Sequence, residues 1–408
     1  MSEVVPSKKV QQIEASPTLA LVAKAKELVA EGKDVISLSV GEPDWPTLNV
    51  AKKAGVEAIN NDFTKYTPAT GIAPLRQAIA DQTNADFKTK YDINNVAVAT
   101  GGKFVIYSLL YSILNSGDEV LMPTPFWVSY PAIVGICEAK TIAIKTNKSE
   151  QFKLTPELLE KHISDKSRVL ILNSPSNPSG FLYSQKELNA LAVVIKKYPK
   201  LLVLSDDIYN RLTFDYDVAP HLLNSNVDIS KQIFIVNGVS KSYSMTGWRI
   251  GWAIGDKAII KAMGAFQSQT TSSTVSVSQK AALAAITEGR EELLEVKKLL
   301  KSRRDFVLPL LNSIEGVSVS QPDGAFYMWA DVSECFGKSF KDTKIKGSED
   351  FAKLLLENHS VVVVPGKPFG EDDYIRISYA VKEERMKEAI NRLSSFIKSL
   401  NKESLFSI

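Results

Sequence analysis

Short apolar runs rich in β-branched residues recur through the middle of this 408-residue chain, at 96–100, 119–122, 141–144, 168–172, 201–205, 233–237 and 250–254. A strand covered on both faces is apolar at nearly every position instead of alternating, so each run reads as a buried strand. Stretches with helical period stand between them, such as Phe104 to Leu114 and Gln185 to Lys196. The alternation predicts an α/β fold with a mostly parallel central sheet flanked by helices. A longer helical pattern runs from Ser276 to Leu311, with a break expected around Thr287-Glu288-Gly289. Its charged segment, Glu291 to Arg304, reads as a solvent-bridging helix leading into another unit. Beyond it, 361–364 and 374–378 read as strands and Lys382 to Leu400 as an amphipathic helix. The helix Leu19 to Ala30 and the strand 35–40 precede the sheet and are expected to pack with this C-terminal unit.

Charge and composition narrow the possible partners. Basic residues number 49 and acidic residues 46, for a net +3, which gives no reason to expect nucleic acid or an anionic membrane. Cys137 and Cys335 are the only cysteines and lie far apart, while His162, His221 and His359 are scattered. No disulfide framework and no metal site are therefore expected. No apolar run approaches the roughly 18 residues of a membrane span. The N-terminus shows no basic-then-apolar leader, and Ser404 to Ile408 match no prenylation or peroxisomal signal, so a cytoplasmic protein is expected.

Chemistry gathers at the strand ends, where parallel sheets place their ligands. Lys241 follows the run 233–237, and Arg249 stands eight residues on among glycines. Desolvation lowers the pKa of a lysine and makes its amine a Schiff-base nucleophile; a guanidinium fork suits a phosphate. A phosphorylated aldehyde, pyridoxal 5'-phosphate (PLP), would use both. An ordinary surface lysine and a salt-bridged arginine would read the same from this stretch alone. Asp206 ends the run 201–205, with Tyr209 three residues on; a carboxylate there could partner a pyridinium or simply cap a helix. Gly101-Gly102-Lys103 joins a strand to a helix, as an anion cradle or a plain tight turn. Residues 173–180, with two prolines and a glycine, form either an exposed loop or a rigid site-forming turn with a cis peptide. Arg376 interrupts an apolar strand and must meet an internal carboxylate or a ligand's.

Taken together, these segments resemble the fold-type I PLP enzymes, in particular the class I aminotransferases, over nearly the whole chain. The motif carrying most of the resemblance is Ser240-Lys241 through Gly251, joined by Asn177-Pro178-x-Gly180, Asp206-x-x-Tyr209 and Arg376. The resemblance implies an N-terminal arm and part of a small domain at 1–48, a large PLP-binding domain at 49–290 and a C-terminal small domain at 291–408. It makes Lys241 the Schiff-base lysine and proton carrier, and Asp206 the partner of the pyridine nitrogen. Tyr209 and Asn177 become donors to the phenolic oxygen, and Trp127 the aromatic stacked on the ring. By the same resemblance Gly101, Gly102, Lys103 and Arg249 are expected to hold the phosphate, and Tyr66 to reach the phosphate of a neighbouring subunit. The resemblance likewise implies that Arg376 clamps the substrate α-carboxylate, assisted by Gly41 and Asn177.

One position departs from many relatives: Gly238 stands where they carry a phosphate-binding serine, and Ser240 need not face the phosphate. Gly101-Gly102-Lys103 resembles the bacterial and archaeal aspartate aminotransferase subgroup, whose lysine there recognises a distal carboxylate. Some members use prephenate, with a threonine matching Thr47 implicated, but Trp45-Pro46 alters its approach. The implied reaction is ping-pong transamination between aspartate and 2-oxoglutarate in a homodimer with shared sites. Prephenate, aromatic or broad specificity, or a lyase of the same fold, are the alternatives. A transcription regulator would need an added DNA-binding module, for which the short lead before residue 35 is expected to leave no room; a dehydrogenase would need a dinucleotide fingerprint, and none appears.

Overall fold

The computed structural model describes residues 4–11, 13 and 17–401. The N-terminal segment contributes one short strand, β1 (Ile36–Ser37). The long apolar runs then become β2 (Val96–Ala99), β3 (Glu119–Pro123), β4 (Lys140–Ile144), β5 (Ser167–Asn173), β6 (Leu202–Asp206), β7 (Ile233–Gly238) and β8 (Gly251–Ile254). They form one sheet in the order β2-β8-β7-β6-β5-β3-β4. The pairs β7–β6, β6–β5, β5–β3 and β3–β4 are parallel. β8 runs antiparallel to both neighbours, so β2 points the same way as β7 and β8 alone is reversed.

Successive residues of these strands enter two different cores, which is why the runs show no polar alternation. Val96, Val98, Leu170 and Ile235 join one apolar cluster; Ala97, Ala99, Ile171 and Val236 join the other. Helix Gly102–Ile113 packs into the second cluster and helix Gln185–Lys196 into the first.

A smaller antiparallel sheet follows, ordered β14-β15-β10-β9, from β9 (Ser318–Val319), β10 (Tyr327–Asp331), β14 (Val364–Pro365) and β15 (Tyr374–Ser378). A separate hairpin, β11 (Ser339–Phe340) with β12 (Thr343–Lys344), lies between them in sequence. β1 pairs in parallel with β13 (Val361–Val362), and Leu28 packs against Leu356 and Val362. The N-terminal helix and strand thus pack with C-terminal elements, as their position in the sequence led us to expect.

The expected break falls at Gly289, between helices Ser276–Glu288 and Arg290–Asn312. A side chain there would strike the Ala285 carbonyl and the Leu48 side chain. The second helix differs from the solvent-bridging reading. Leu293, Val296, Leu300, Arg303, Arg304 and Val307 are buried along one stripe, and the two arginines pair with Asp44 and with the more exposed Asp305. No helix among the described residues is long and apolar enough to cross a membrane. The tail Ser404–Ile408, which matches no prenylation or peroxisomal signal, lies outside the described residues.

Candidate active site

A cavity of about 360 Å³ opens where β5, β6 and β7 end, beside the helix that follows β2. Its wall includes Lys241, Asp206, Tyr209, Asn177, Trp127 and Arg376, residues drawn from segments up to 249 positions apart in sequence (376 − 127). Gly41, Gly102, Lys103 and Arg249 complete the expected set, and Gly101 lies directly against Arg249. Tyr66 does not join them: it is 93% exposed on the surface of its own chain.

Lys241 stands in the turn after β7, and its amine donates to the Gly41 carbonyl. None of the described ion pairs includes it. Burial, reinforced by the Arg376 charge, holds its pKa down at about 8. Asp206 ends β6 with its side chain buried; Oδ2 accepts the Tyr130 hydroxyl at 2.6 Å and Oδ1 the Ile208 amide at 3.3 Å. Burial pushes this carboxyl up to about 6, and no described ion pair includes it. No helix follows Asp206, so it is not a helix cap.

The turn 173–178 is not an exposed loop: it borders the cavity through Asn173 and Asn177. Asn173 donates to the Asp206 carbonyl at 2.7 Å and accepts the Asn177 amide at 2.7 Å, tying the turn to β6; the Ser174–Pro175 peptide is cis. Asn177 Oδ1 in turn accepts from Arg376 Nη1 at 2.9 Å. Arg376, on β15, meets no carboxylate; Nη2 donates to the Ser39 carbonyl at 2.8 Å and buried Nε has no partner. Its guanidinium lies 4.4 Å over the Tyr327 ring and 5.3 Å from that of Phe369. The internal ion pair that would ordinarily explain a buried arginine is not found among the described residues.

Gly101 has φ of 86° and the helix begins at Gly102. A Cβ at Gly101 would sit 2.5 Å from the Arg249 guanidinium, so only glycine lets that cation reach the helix N-terminus. Arg249 donates to the Thr246 carbonyl at 2.9 Å, and no described ion pair contains it. Burial, then the Arg249 charge, holds Lys103 below the ordinary lysine value, with its amine 5.1 Å above the Trp127 ring. Gly238 has a packing cause: a Cβ there would lie 2.8 Å from the Ile250 carbonyl across β7–β8. Ser240 is buried and does line the cavity.

Several residues escaped the sequence reading. Tyr130 holds Asp206 and meets Trp127 edge-on at 5.4 Å; Tyr327 shares a 2.8 Å hydroxyl contact with Tyr209. The aromatic cluster Phe126-Trp127-Val128-Ser129-Tyr130 after β3 was the available signal for the first. Nothing marks Tyr327 within its apolar strand. Thr47 lies outside this cavity, donating to the Ser244 carbonyl at 2.7 Å and accepting from the Trp248 indole at 3.1 Å.

The family described as aminotransferase class I and II matches residues 33–393. A probable aspartate/prephenate aminotransferase of Rickettsia felis is 42% identical, over 98% of both chains. The aspartate/prephenate aminotransferase of Nitrosomonas europaea is 41% identical over 96% of this chain and 99% of its own. Among solved structures, an aspartate aminotransferase from Rhizobium meliloti superposes with a TM-score of 0.93 at 39% identity, covering 98% of this chain and all of that one. The Thermus thermophilus aspartate aminotransferase with maleate gives 0.89 at 33% identity, over 97% and 100%.

Proposed function

Because this chain belongs to the class I and II aminotransferases, we propose that it transfers an amino group from a dicarboxylic L-amino acid, aspartate foremost, to 2-oxoglutarate, with PLP as cofactor. The observation that carries this reading is a charge imbalance. Four cations (Lys103, Lys241, Arg249 and Arg376) face one carboxylate, Asp206, around the cavity. Such a site suits several anionic groups at once: a phosphate, an α-carboxylate and a distal carboxylate. Relatives carry aspartate in their names, and one was solved with maleate, itself a dicarboxylate.

The residues fit PLP. Asp206 is a buried carboxylate without a cation, Gly101 and Arg249 form a cradle at a helix N-terminus, and Lys241 has an amine with a pKa near 8 and no carboxylate partner. When bound, PLP supplies an electron sink conjugated to the substrate Cα. In this reading Asp206 holds a proton at the ring nitrogen, and Tyr209 and Asn177 donate to the phenolic oxygen. Trp127 covers the ring face and excludes water. The Gly101–Lys103 amides and Arg249 hold the phosphate. Arg376, assisted by Asn177 and the Gly41 backbone, orients the α-carboxylate, and Lys241 Nζ carries the Cα proton in both half-reactions of a ping-pong cycle.

Lys103, over Trp127, would orient the distal carboxylate. Prephenate is the second reading, because the relatives' names include it. Thr47, the residue linked to that substrate, is committed to Ser244 and Trp248, which favours aspartate. Tyr66, exposed here, would serve the site of a second copy. Mixing Tyr66→Phe subunits with Lys241→Ala subunits should then regenerate normal sites, and no recovery despite subunit exchange would exclude sharing.

The central test supplies the PLP-loaded protein with 2-oxoglutarate and aspartate, alanine or phenylalanine in turn. Aspartate should lead, and Lys103→Ala should lower kcat/KM for aspartate far more than for alanine. Turnover without a keto acid would make the protein a lyase. Prephenate outpacing 2-oxoglutarate as acceptor would favour the second reading.

A further inference from the structure

β6 ends in Ser205 and Asp206, and Asp207 follows directly; all three are polar and buried. Successive side chains of an extended chain point to opposite sides. Asp206 turns to the cavity and Tyr130. Ser205 and Asp207 turn to a closed cluster with His221, on the other side of the same backbone. Ser205 Oγ donates to Asp207 Oδ1 at 2.6 Å, and His221 Nε2 lies 3.1 Å from Ser205 Oγ and 3.3 Å from Asp207 Oδ2.

The tautomer of His221 follows from its other nitrogen. The Leu223 amide donates to Nδ1 at 3.1 Å, which leaves the proton of the neutral ring on Nε2, facing Ser205 and Asp207. Phe87 stacks on the imidazole at 4.5 Å. Asp207 Oδ2 is buried and, beyond the 3.3 Å contact with His221 Nε2, meets no hydrogen-bond donor among the described residues. The neighbouring Arg211 is taken by Asp86, and no described ion pair brings a lysine or arginine to Asp207. An Asn–Ser–His cluster would fill this space without a buried charge. A carboxylate adds a field, and in a low-dielectric interior that field reaches the far side of the strand.

We infer that Asp207, held by Ser205 and His221, is a positioning residue for the cofactor: a second buried negative charge, behind Asp206, that favours a protonated ring nitrogen in the cavity in front. The inference rests on the PLP reading above. It assigns work to a carboxylate and a histidine that touch neither substrate nor cofactor.

The test compares two ligands of the cofactor-free protein, PLP and its 1-deaza analogue, in which a carbon replaces the ring nitrogen and takes up no proton there. Affinities are read from quenching of tryptophan fluorescence. The unaltered protein should prefer PLP. Asp207→Asn should cut that preference about five- to tenfold by weakening PLP alone. His221→Gln keeps a neutral N–H donor and should leave the preference within about twofold. Equal weakening of both ligands in Asp207→Asn, or an unchanged preference, would overturn the inference and leave the cluster a mere brace. Should that variant not fold, the Asp207→Asn/His221→Gln double variant, neutral with its amides able to pair, repeats the comparison. Failure of both to fold would make the role structural and equally overturn the inference. If the unaltered protein itself shows no preference, the cofactor reading at Asp206 is what fails.

Discussion

Two buried arginines from the C-terminal half, Arg304 and Arg376, have the same stacking and opposite charge surroundings. Arg304 lies 4.5 Å over the Phe214 ring and Arg376 4.4 Å over that of Tyr327. The Asp305 carboxylate meets Arg304 at 2.9 and 2.7 Å, and the Pro322 carbonyl takes the remaining arm at 3.1 Å. Arg376 has only neutral acceptors, Asn177 and Ser39, and an idle Nε. A buried cation without a counter-charge is costly unless a ligand brings one. The first arginine is complete within the fold, and the second is completed by substrate in the proposed reaction. The same contrast separates the paired charges elsewhere from Lys241 and Asp206 in the cavity.

Removing the reactive amine should have the largest effect. Lys241→Ala should lose roughly 10³-fold or more of turnover with PLP still bound, measured as keto-acid formation, because the proton carrier vanishes. Normal turnover would place the chemistry elsewhere. Arg376→Lys keeps the charge but not the planar fork, so about 1.5–3 kcal/mol of substrate interaction should go, some 10- to 150-fold in kcat/KM. The loss should be alike for every donor, since all share the α-carboxylate. A loss confined to acidic donors would move Arg376 to the side-chain pocket.

Asp206 sharpens the contrast through pH. Its folded-state pKa of about 6 lies above the unfolded value of about 4, so the folded protein binds more protons between them. Stability of the cofactor-free protein should therefore fall as pH rises from about 4 to about 6, by at most about 3 kcal/mol. Asp206→Asn should flatten that window in urea unfolding and be the more stable form at pH 7, while holding PLP more weakly. A variant less stable than its parent at pH 7 would contradict the reading. Arg304→Met should do the reverse of the site variants: about 1–3 kcal/mol of unfolding free energy lost, with kcat/KM within about twofold. A selective loss of activity there would break the comparison itself.

Much of the fold was legible because double-sided burial writes itself directly into strand composition. The runs at 96–100, 168–172 and 233–237 are apolar since each residue enters one core or the other. Local rules also marked Gly289 as a break and residues 173–180 as a turn. The buried stripe on helix Arg290–Asn312 was obscured by its charge density, because Arg303 and Arg304 are hidden by partners, one of them Asp44, 259 residues away. Tyr130 and Tyr327 were missed for a related reason. Each is an ordinary aromatic in its own segment, and its importance comes from a hydroxyl that meets Asp206 or Tyr209 across the fold.

The sequence alone determined which residue types could do chemistry and where the strands end, since burial pattern, turn residues and motif spacing are local properties. It left open whether Arg376 was paired, whether Asp206 capped a helix and which way Ser240 faced. Those answers depend on which charges and hydroxyls become neighbours after hundreds of intervening residues have folded. An ion pair or a desolvated amine is a property of distance and dielectric, and only the tertiary structure sets either.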